Sequence, residues 1–229
     1  MEYLSNNITL SIPEGAFPLS TDSILLSDFV KLSRNARVLD LGSGCGTLGL
    51  LLCAKDDTCH ITGLELSSAA HQGAEENIRR NGLDSRMTSI CADLRAIPED
   101  LRPGSFHICI SNPPYFTGGA PSRSTPMARQ DGSCSMEELF SAAEKMLKFG
   151  GDFALVHKPE RLAELCACAA RHKLEPKRLR LIRHRQDAPV SLILLSCRKG
   201  GKPGLSWEEE TLFDPQGQPT AYYRTLYHL

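Results

Sequence analysis

The chain has 229 residues, 41% of them hydrophobic, and a formal net charge of −1. That length suits one large domain with at most short appendages, no apolar run approaches the roughly 18–20 residues that span a bilayer, and the balanced charge means that any affinity for nucleic acid must come from a local patch. Nine scattered cysteines without a Cys-x-x-Cys pair predict reduced packing thiols, with no metal site, and the first residues lack a signal peptide's basic-then-apolar pattern, so a cytoplasmic protein is expected.

Residues 1–35 form a lead-in in which 21–32 predicts a helix, starting near Thr21 or Asp22. Residues 36–41 (ARVLDL) read as a buried strand that stops at glycines, and 47–55 as the helix that follows. Residues 60–65 (HITGLE) are a second strand; Ser67 or Ser68 caps a helix to about Asn81, with Gly82 just past its end. A third strand covers 87–91 and a fourth 106–111, the latter halted by Asn-Pro-Pro. Residues 116–134 carry many Gly, Pro and Ser and predict a long loop. An amphipathic helix is expected over 135–148, a turn at Gly150-Gly151, a strand over 152–157 and a helix from Pro159 to about His172. The last strands are 177–182 and 190–197, the second continuously apolar (VSLILLSC) and so buried on both faces. This alternation predicts an α/β domain over 36–200 with a parallel sheet. Residues 201–229 break the alternation, but Trp207, Phe213, Tyr222, Tyr223 and Tyr227 predict a tail packed on the domain.

Asp40-Leu41-Gly42-Ser43-Gly44-Cys45-Gly46 lies between the first strand and its helix. Glycines there let the chain turn sharply and let its backbone approach a ligand closely. Thr47 departs from the Gly-x-Gly-x-x-Gly spacing, and no Gly-Lys-Ser/Thr follows, which excludes a P-loop. Glu65 ends the second strand, where a carboxylate accepts from ribose hydroxyls. Asp93 follows the third strand, where it can accept from an adenine amino group. Three matches in order point to a nucleoside-bearing cofactor, whereas either acid alone would read as a surface strand end.

Asn112-Pro113-Pro114-Tyr115 follows the fourth strand, at the carboxyl edge where open α/β sheets bind ligands. Prolines cannot donate to a ladder, so they stiffen a turn there. An exocyclic ring amine delocalises its lone pair and is a weak nucleophile. If the Asn112 side-chain oxygen and the Pro113 carbonyl accept its two N–H bonds, the lone pair is freed for a methyl electrophile, while Tyr115 stacks on the ring. No strong base is needed.

Together these motifs resemble the class I (Rossmann-like) methyltransferases that methylate amino groups, most closely the bacterial tRNA(Val) (adenine-N6) methyltransferase family. The lead-in from Leu19 to Leu26, Phe116 after the Asn-Pro-Pro-Tyr run, and Met127-Ala128-Arg129 in the following loop carry the narrower likeness, which covers about residues 15–200. It implies a doubly wound, mostly parallel seven-stranded sheet whose last strand is antiparallel, with S-adenosyl-L-methionine as methyl donor. It implies cofactor contacts by Thr21, Asp40, Gly42, Ser43, Gly44, Gly46, Glu65, Leu66, Asp93, Leu94 and Asn112, and catalysis by Asn112, Pro113, Pro114 and Tyr115. The expected partner is tRNA, approached by Phe116, Arg123 and Arg129. Residues 171–185 hold seven Lys or Arg against the single acid Glu175; within them Lys177, Arg178, Arg180, Arg183 and Arg185 are candidate phosphate contacts or, equally, a solvated face. Gln130 departs from the family, where a His usually follows the Arg. Rival readings are a protein glutamine-amide methyltransferase, an rRNA guanine-N2 methyltransferase and a non-catalytic S-adenosylmethionine-binding module.

Overall fold

The structure is a computed structural model that describes residues 2–4, 7–12, 19–114 and 134–227. A short antiparallel pair, β1 (Glu2–Tyr3) and β2 (Thr9–Leu10), precedes α1 (Thr21–Phe29), which Ser20 caps by accepting the Ser23 N–H. There follow β3 (Arg37–Leu41), α2 (Thr47–Lys55), β4 (His60–Glu65), α3 (Ser68–Arg80), β5 (Met87–Cys91) and β6 (Phe106–Ser111). After residue 134 come α4 (Met136–Met146), β7 (Leu147–His157), α5 (Leu162–Arg171), β8 (Leu174–Arg185), β9 (Val190–Lys199), β10 (Ser206–Phe213) and α6 (Ala221–Tyr227). Local chemistry fixes several ends: Ser135 and Glu138 form a capping box on α4, and Ser67 caps α3, which stops at Asn81 before Gly82 at φ +62°. The free carbonyls at the C-terminal end of α1 are met by Lys55, whose ammonium donates to those of Ser27, Asp28 and Val30 at 2.8–2.9 Å.

The strands form one sheet in the order β5-β4-β3-β6-β7-β9-β8-β10, parallel throughout except for β9, which runs against both β7 and β8. Chain order reverses between β3 and β6. Side chains alternate across the sheet, so the central strands are apolar on both faces. Val38, Ile108, Ile110, Ala154 and Leu194 face one cluster with Leu25, Leu26, Leu50 and Leu52 of α1 and α2. Leu39, Cys109, Phe153, Leu155 and Leu195 face another with Phe140 and Leu165 of α4 and α5. Phe140 meets Phe153 edge to face at 5.0 Å and 88°.

Several elements differ from the sequence reading. The sheet has eight strands, not seven, because the tail contributes β10, paired in parallel with β8. Helix α4 ends at Met146, and Gly150-Gly151 lie within β7 rather than in a turn before it. Gly151 lets β7 run close to β6: a Cβ there would sit 2.9 Å from the His107 carbonyl oxygen, where the register of the pair shifts. Strand β8 extends three residues beyond each end of the predicted 177–182. Cys91, read from its neighbours as a packing thiol, is exposed; Cys45, Cys53, Cys59, Cys109, Cys168 and Cys197 are buried, and all nine are free. No described helix is long and apolar enough to cross a membrane.

Candidate active site

Strands β3 and β6 are neighbours, with Asp40 opposite Ile110, so their carboxyl ends open side by side at the point where chain order reverses. The buried Ser111 hydroxyl ties the two ends together by donating to the Leu41 carbonyl at 2.8 Å. From β3 the chain enters the glycine loop. Gly42, Gly44 and Gly46 adopt φ of +77°, +56° and +84°, conformations that L side chains rarely adopt, and a Cβ on Gly42 or Gly44 would meet nothing within 4 Å. The loop is pinned by the Gly42 and Ser43 N–H groups donating to the Leu64 carbonyl at 2.9 and 3.1 Å. Gly46 then starts α2 without any side-chain cap, which leaves the first amides of that helix facing the loop.

Asp40 is 1% exposed, and neither of its carboxylate oxygens finds a partner among the described residues; the Ser43 hydroxyl is in the same condition. Burial, reinforced by the nearby Glu65 charge, pushes the Asp40 carboxyl up to about 8. Glu65, at the end of β4, is held by two backbone donors: Gly44 N–H to Oε2 at 2.8 Å and Ser67 N–H to Oε1 at 2.7 Å. Each oxygen keeps a lone pair for a further donor. Leu66, beside it, is 48% exposed, an apolar surface at the cleft rim. Asp93 is engaged elsewhere: its carboxylate takes a forked bond from the Arg95 guanidinium and the Arg95 N–H, and these hold it below the usual carboxylate range. Leu94 opens the 3-10 turn that follows and is half buried.

Asn112 sits just past β6 and is half buried, Pro113 is buried and Pro114 exposed. The Asn112 amide nitrogen donates to Ser23 Oγ at 3.1 Å. That bond sets which way the amide faces and leaves its Oδ1 as the acceptor available to the cleft. Thr21, two residues before Ser23 at the start of α1, pairs instead with the Tyr227 phenol at 3.1 Å. Tyr115, Phe116, Arg123 and Arg129 lie outside the described residues. Sequence reasoning missed Ser23, although it stands inside the Thr-Asp-Ser lead-in. It also missed Asn77, whose buried amide braces the loop by donating to the Cys45 carbonyl at 3.0 Å.

Most side chains of the basic stretch make contacts within the fold. Arg178 donates to the Phe29 carbonyl and lies 4.3 Å over the Phe29 ring. Arg180 bridges Asp28 and Glu208 at 2.6 Å each, and Arg183 reaches Glu209 and the Ala188 carbonyl. Lys177 donates to the Lys202 carbonyl. Arg180 and Arg183 are thus paired with carboxylates, and Lys177 and Arg178 with carbonyls; Arg185 is exposed and shows no such bond among the described residues. One ligand-like trio exists among the described residues, Glu137, Cys168 and His172, with donor atoms within 4.8 Å. Its carboxylate is already taken by Arg171 and His172.

Comparison with known proteins agrees with this architecture. The family model of the methyltransferase small domain matches residues 20–165. A tRNA1(Val) (adenine(37)-N6)-methyltransferase from Bacteroides fragilis (strain YCH46) is 31% identical over 183 residues, 79% of this chain and 77% of its own. The enzyme of that name from Pectobacterium carotovorum subsp. carotovorum (strain PC1) is 32% identical over 190 residues, 82% and 76% of the two chains. Among solved structures, a predicted O-methyltransferase from Agrobacterium tumefaciens superposes with a TM-score of 0.76 at 21% identity, covering 91% of this chain and 96% of its own. Geranyl diphosphate C-methyltransferase from Streptomyces coelicolor A3(2), solved with S-adenosyl-L-homocysteine, gives 0.60 at 13%, covering 77% and 76%.

Proposed function

The chain belongs to the methyltransferase small-domain family, and from that premise we propose that it uses S-adenosylmethionine to methylate the exocyclic N6 of an adenine in tRNA, in the anticodon loop of tRNA(Val). The observation that carries the reading is the Asn112 amide, turned by Ser23 so that its oxygen stays available at the carboxyl edge beside the glycine loop.

The residues present fit the cofactor. The orphaned Asp40 carboxylate, the Ser43 hydroxyl and the open backbone of Gly42 and Gly44 would hold its amino-acid end, with Gly46 turning the chain into α2. Glu65 would accept from the ribose, and Leu66 and Leu94 would cover the adenine; Asp93 would join them with the oxygen lone pairs that Arg95 leaves. Bound there, S-adenosylmethionine supplies a methyl group on a cationic sulfur. The Asn112 oxygen and the Pro113 carbonyl accept the two N–H bonds of the target amine, which turns its lone pair out of conjugation and toward that methyl. Tyr115 stacks on the base and keeps the approach in line. The amine proton leaves to solvent after transfer, so the site needs no group of matched basicity.

An adenine in an anticodon loop is already free of pairing, and its extrusion into the site costs less than from a duplex. Such a substrate places the protein in the cytoplasm. Separate incubations with tritiated S-adenosylmethionine and unmodified bacterial tRNA, rRNA or cell protein, followed by digestion to nucleosides or amino acids, test the assignment: the label is expected in N6-methyladenosine of tRNA. Label in a methylguanosine of rRNA, or in a protein glutamine, overturns it.

A further inference from the structure

The C-terminal segment lies beyond residue 165, where the family match ends, and its aromatic side chains form a line. His184, near the end of β8, has its ring centroid 4.9 Å from that of Phe213 at the end of β10. Phe213 lies 4.8 Å from Tyr223, and Tyr223 stacks on Tyr227 at 4.4 Å and 18°. The Tyr227 phenol reaches Thr21 at 3.1 Å, and Thr21 opens the helix whose Ser23 holds Asn112. Strands β8 and β10 run in the same direction as β6, so the ring line starts at the carboxyl ends of β8 and β10 and passes along α6 to the first turn of α1, the helix whose Ser23 holds Asn112.

Core packing accounts for only one side of this line. His184 is exposed, while Phe213, Tyr223 and Tyr227 are each half buried. Two exposed arginines flank it, Arg185 next to His184 and Arg224 next to Tyr223, and neither side chain forms a hydrogen bond or ion pair among the described residues. They stand apart from Arg178, Arg180 and Arg183, which are bound internally.

We propose that this ring line is a stacking surface for an unpaired nucleobase adjacent to the one methylated, with Arg185 and Arg224 meeting its phosphates. The inference rests on the RNA reading above and deepens it. Every base has a π face, so stacking on aromatic rings holds single-stranded nucleic acid without reading its sequence, and flanking cations track the backbone. The Thr21–Tyr227 contact puts the last ring at the first turn of α1, so a base stacked on that ring lies on the side of the cleft from which its neighbour reaches the asparagine.

The test uses the full chain and the variants Tyr227→Ala, Tyr227→Phe and His184→Ala, the last at an exposed position that leaves packing intact. Steady-state methylation of tRNA, cofactor titration, thermal unfolding and binding of a fluorescent single-stranded adenine oligonucleotide are measured on each. Both alanine variants are expected to raise KM for tRNA and weaken oligonucleotide binding about tenfold, with kcat and cofactor affinity held, and Tyr227→Phe to restore KM. Unchanged KM in both alanine variants overturns the proposal, as does a matching loss of cofactor affinity or stability in Tyr227→Ala. If the wild-type chain labels protein but not RNA, the functional reading falls by itself. The stacking surface then stands if oligonucleotide binding is present and weakened by both alanine variants, and falls if the wild type binds none.

Discussion

Replacing Asp40 by asparagine flattens the dependence of stability on pH. In the unfolded chain this carboxyl titrates at its ordinary 3.8, whereas in the folded protein burial holds it at about 8. Below the lower value both states are protonated and nothing is lost. Between the two, the unfolded chain gives up a proton that the folded chain keeps, so stability falls as pH rises and levels off above the folded value. At about 1.36 kcal/mol per pH unit, the wild-type protein loses roughly 4 kcal/mol from this one group between about pH 5 and 8.5. Asparagine has no proton to release and nearly the same shape. Urea unfolding of both proteins across that range gives the comparison: the gap between them widens in favour of the variant by that amount toward alkaline pH. Parallel profiles would mean that Asp40 ionises normally in the fold, and would refute the picture of a neutral, unpartnered carboxyl beneath the glycine loop.

Three other outcomes follow from the same site and its supports. If the cationic amino group of S-adenosylmethionine meets Asp40, binding at pH 7 ionises the carboxyl and releases a proton. The binding heat should then vary with buffer ionisation enthalpy in the wild type and not in Asp40→Asn. Asn112→Ala is expected to abolish methyl transfer while cofactor affinity stays within a few-fold; near-normal turnover removes the role given to the amide. Arg180→Ala leaves Asp28, Glu208 and the Tyr222 hydroxyl without their shared donor, and a loss of about 2 kcal/mol is expected by denaturant titration. A change under about 0.5 kcal/mol would place that network in the solvated class.

What the sequence disclosed, and what it hid, divides along physical lines. From β3 to β6 the strand and helix ends agree with the reading to within a residue or two, because most strands are apolar runs and each ends at or near a glycine, a serine or aspartate cap, or a proline pair. Strand β10 escaped because its signal is absent: Trp207 to Glu209 are exposed, only Leu212 is buried, and Trp-Glu-Glu-Glu shows no inward face. The glycine pair in β7 misled because Gly-Gly usually marks a turn, whereas here it accommodates a carbonyl of the adjacent strand. The site residues were legible as types in order, Asp40, Glu65 and Asn112 each at a strand end. Their bracing was not, since Ser23 meets Asn112 across 89 positions of chain. Arg180 of β8 illustrates the same limit: its charge is visible in the sequence, but its partner Asp28 lies 152 positions away.

Strand β10 also bears on how the molecule behaves among its own kind. It is the last strand of the sheet, paired to β8 on one side. On the other, among the described residues, only its end is met, by Pro219 and Thr220 folding back on Leu212 and Phe213, and the rest is the kind of border that invites a neighbour's strand to join and seed fibres or precipitates. Three successive carboxylates, Glu208, Glu209 and Glu210, occupy that border. Two of them turn to Arg180 and Arg183 within the same molecule, while any second copy arriving strand to strand would bring three more acids against them. The acids that fasten the tail to its own sheet thus also hold other molecules apart in a crowded solution.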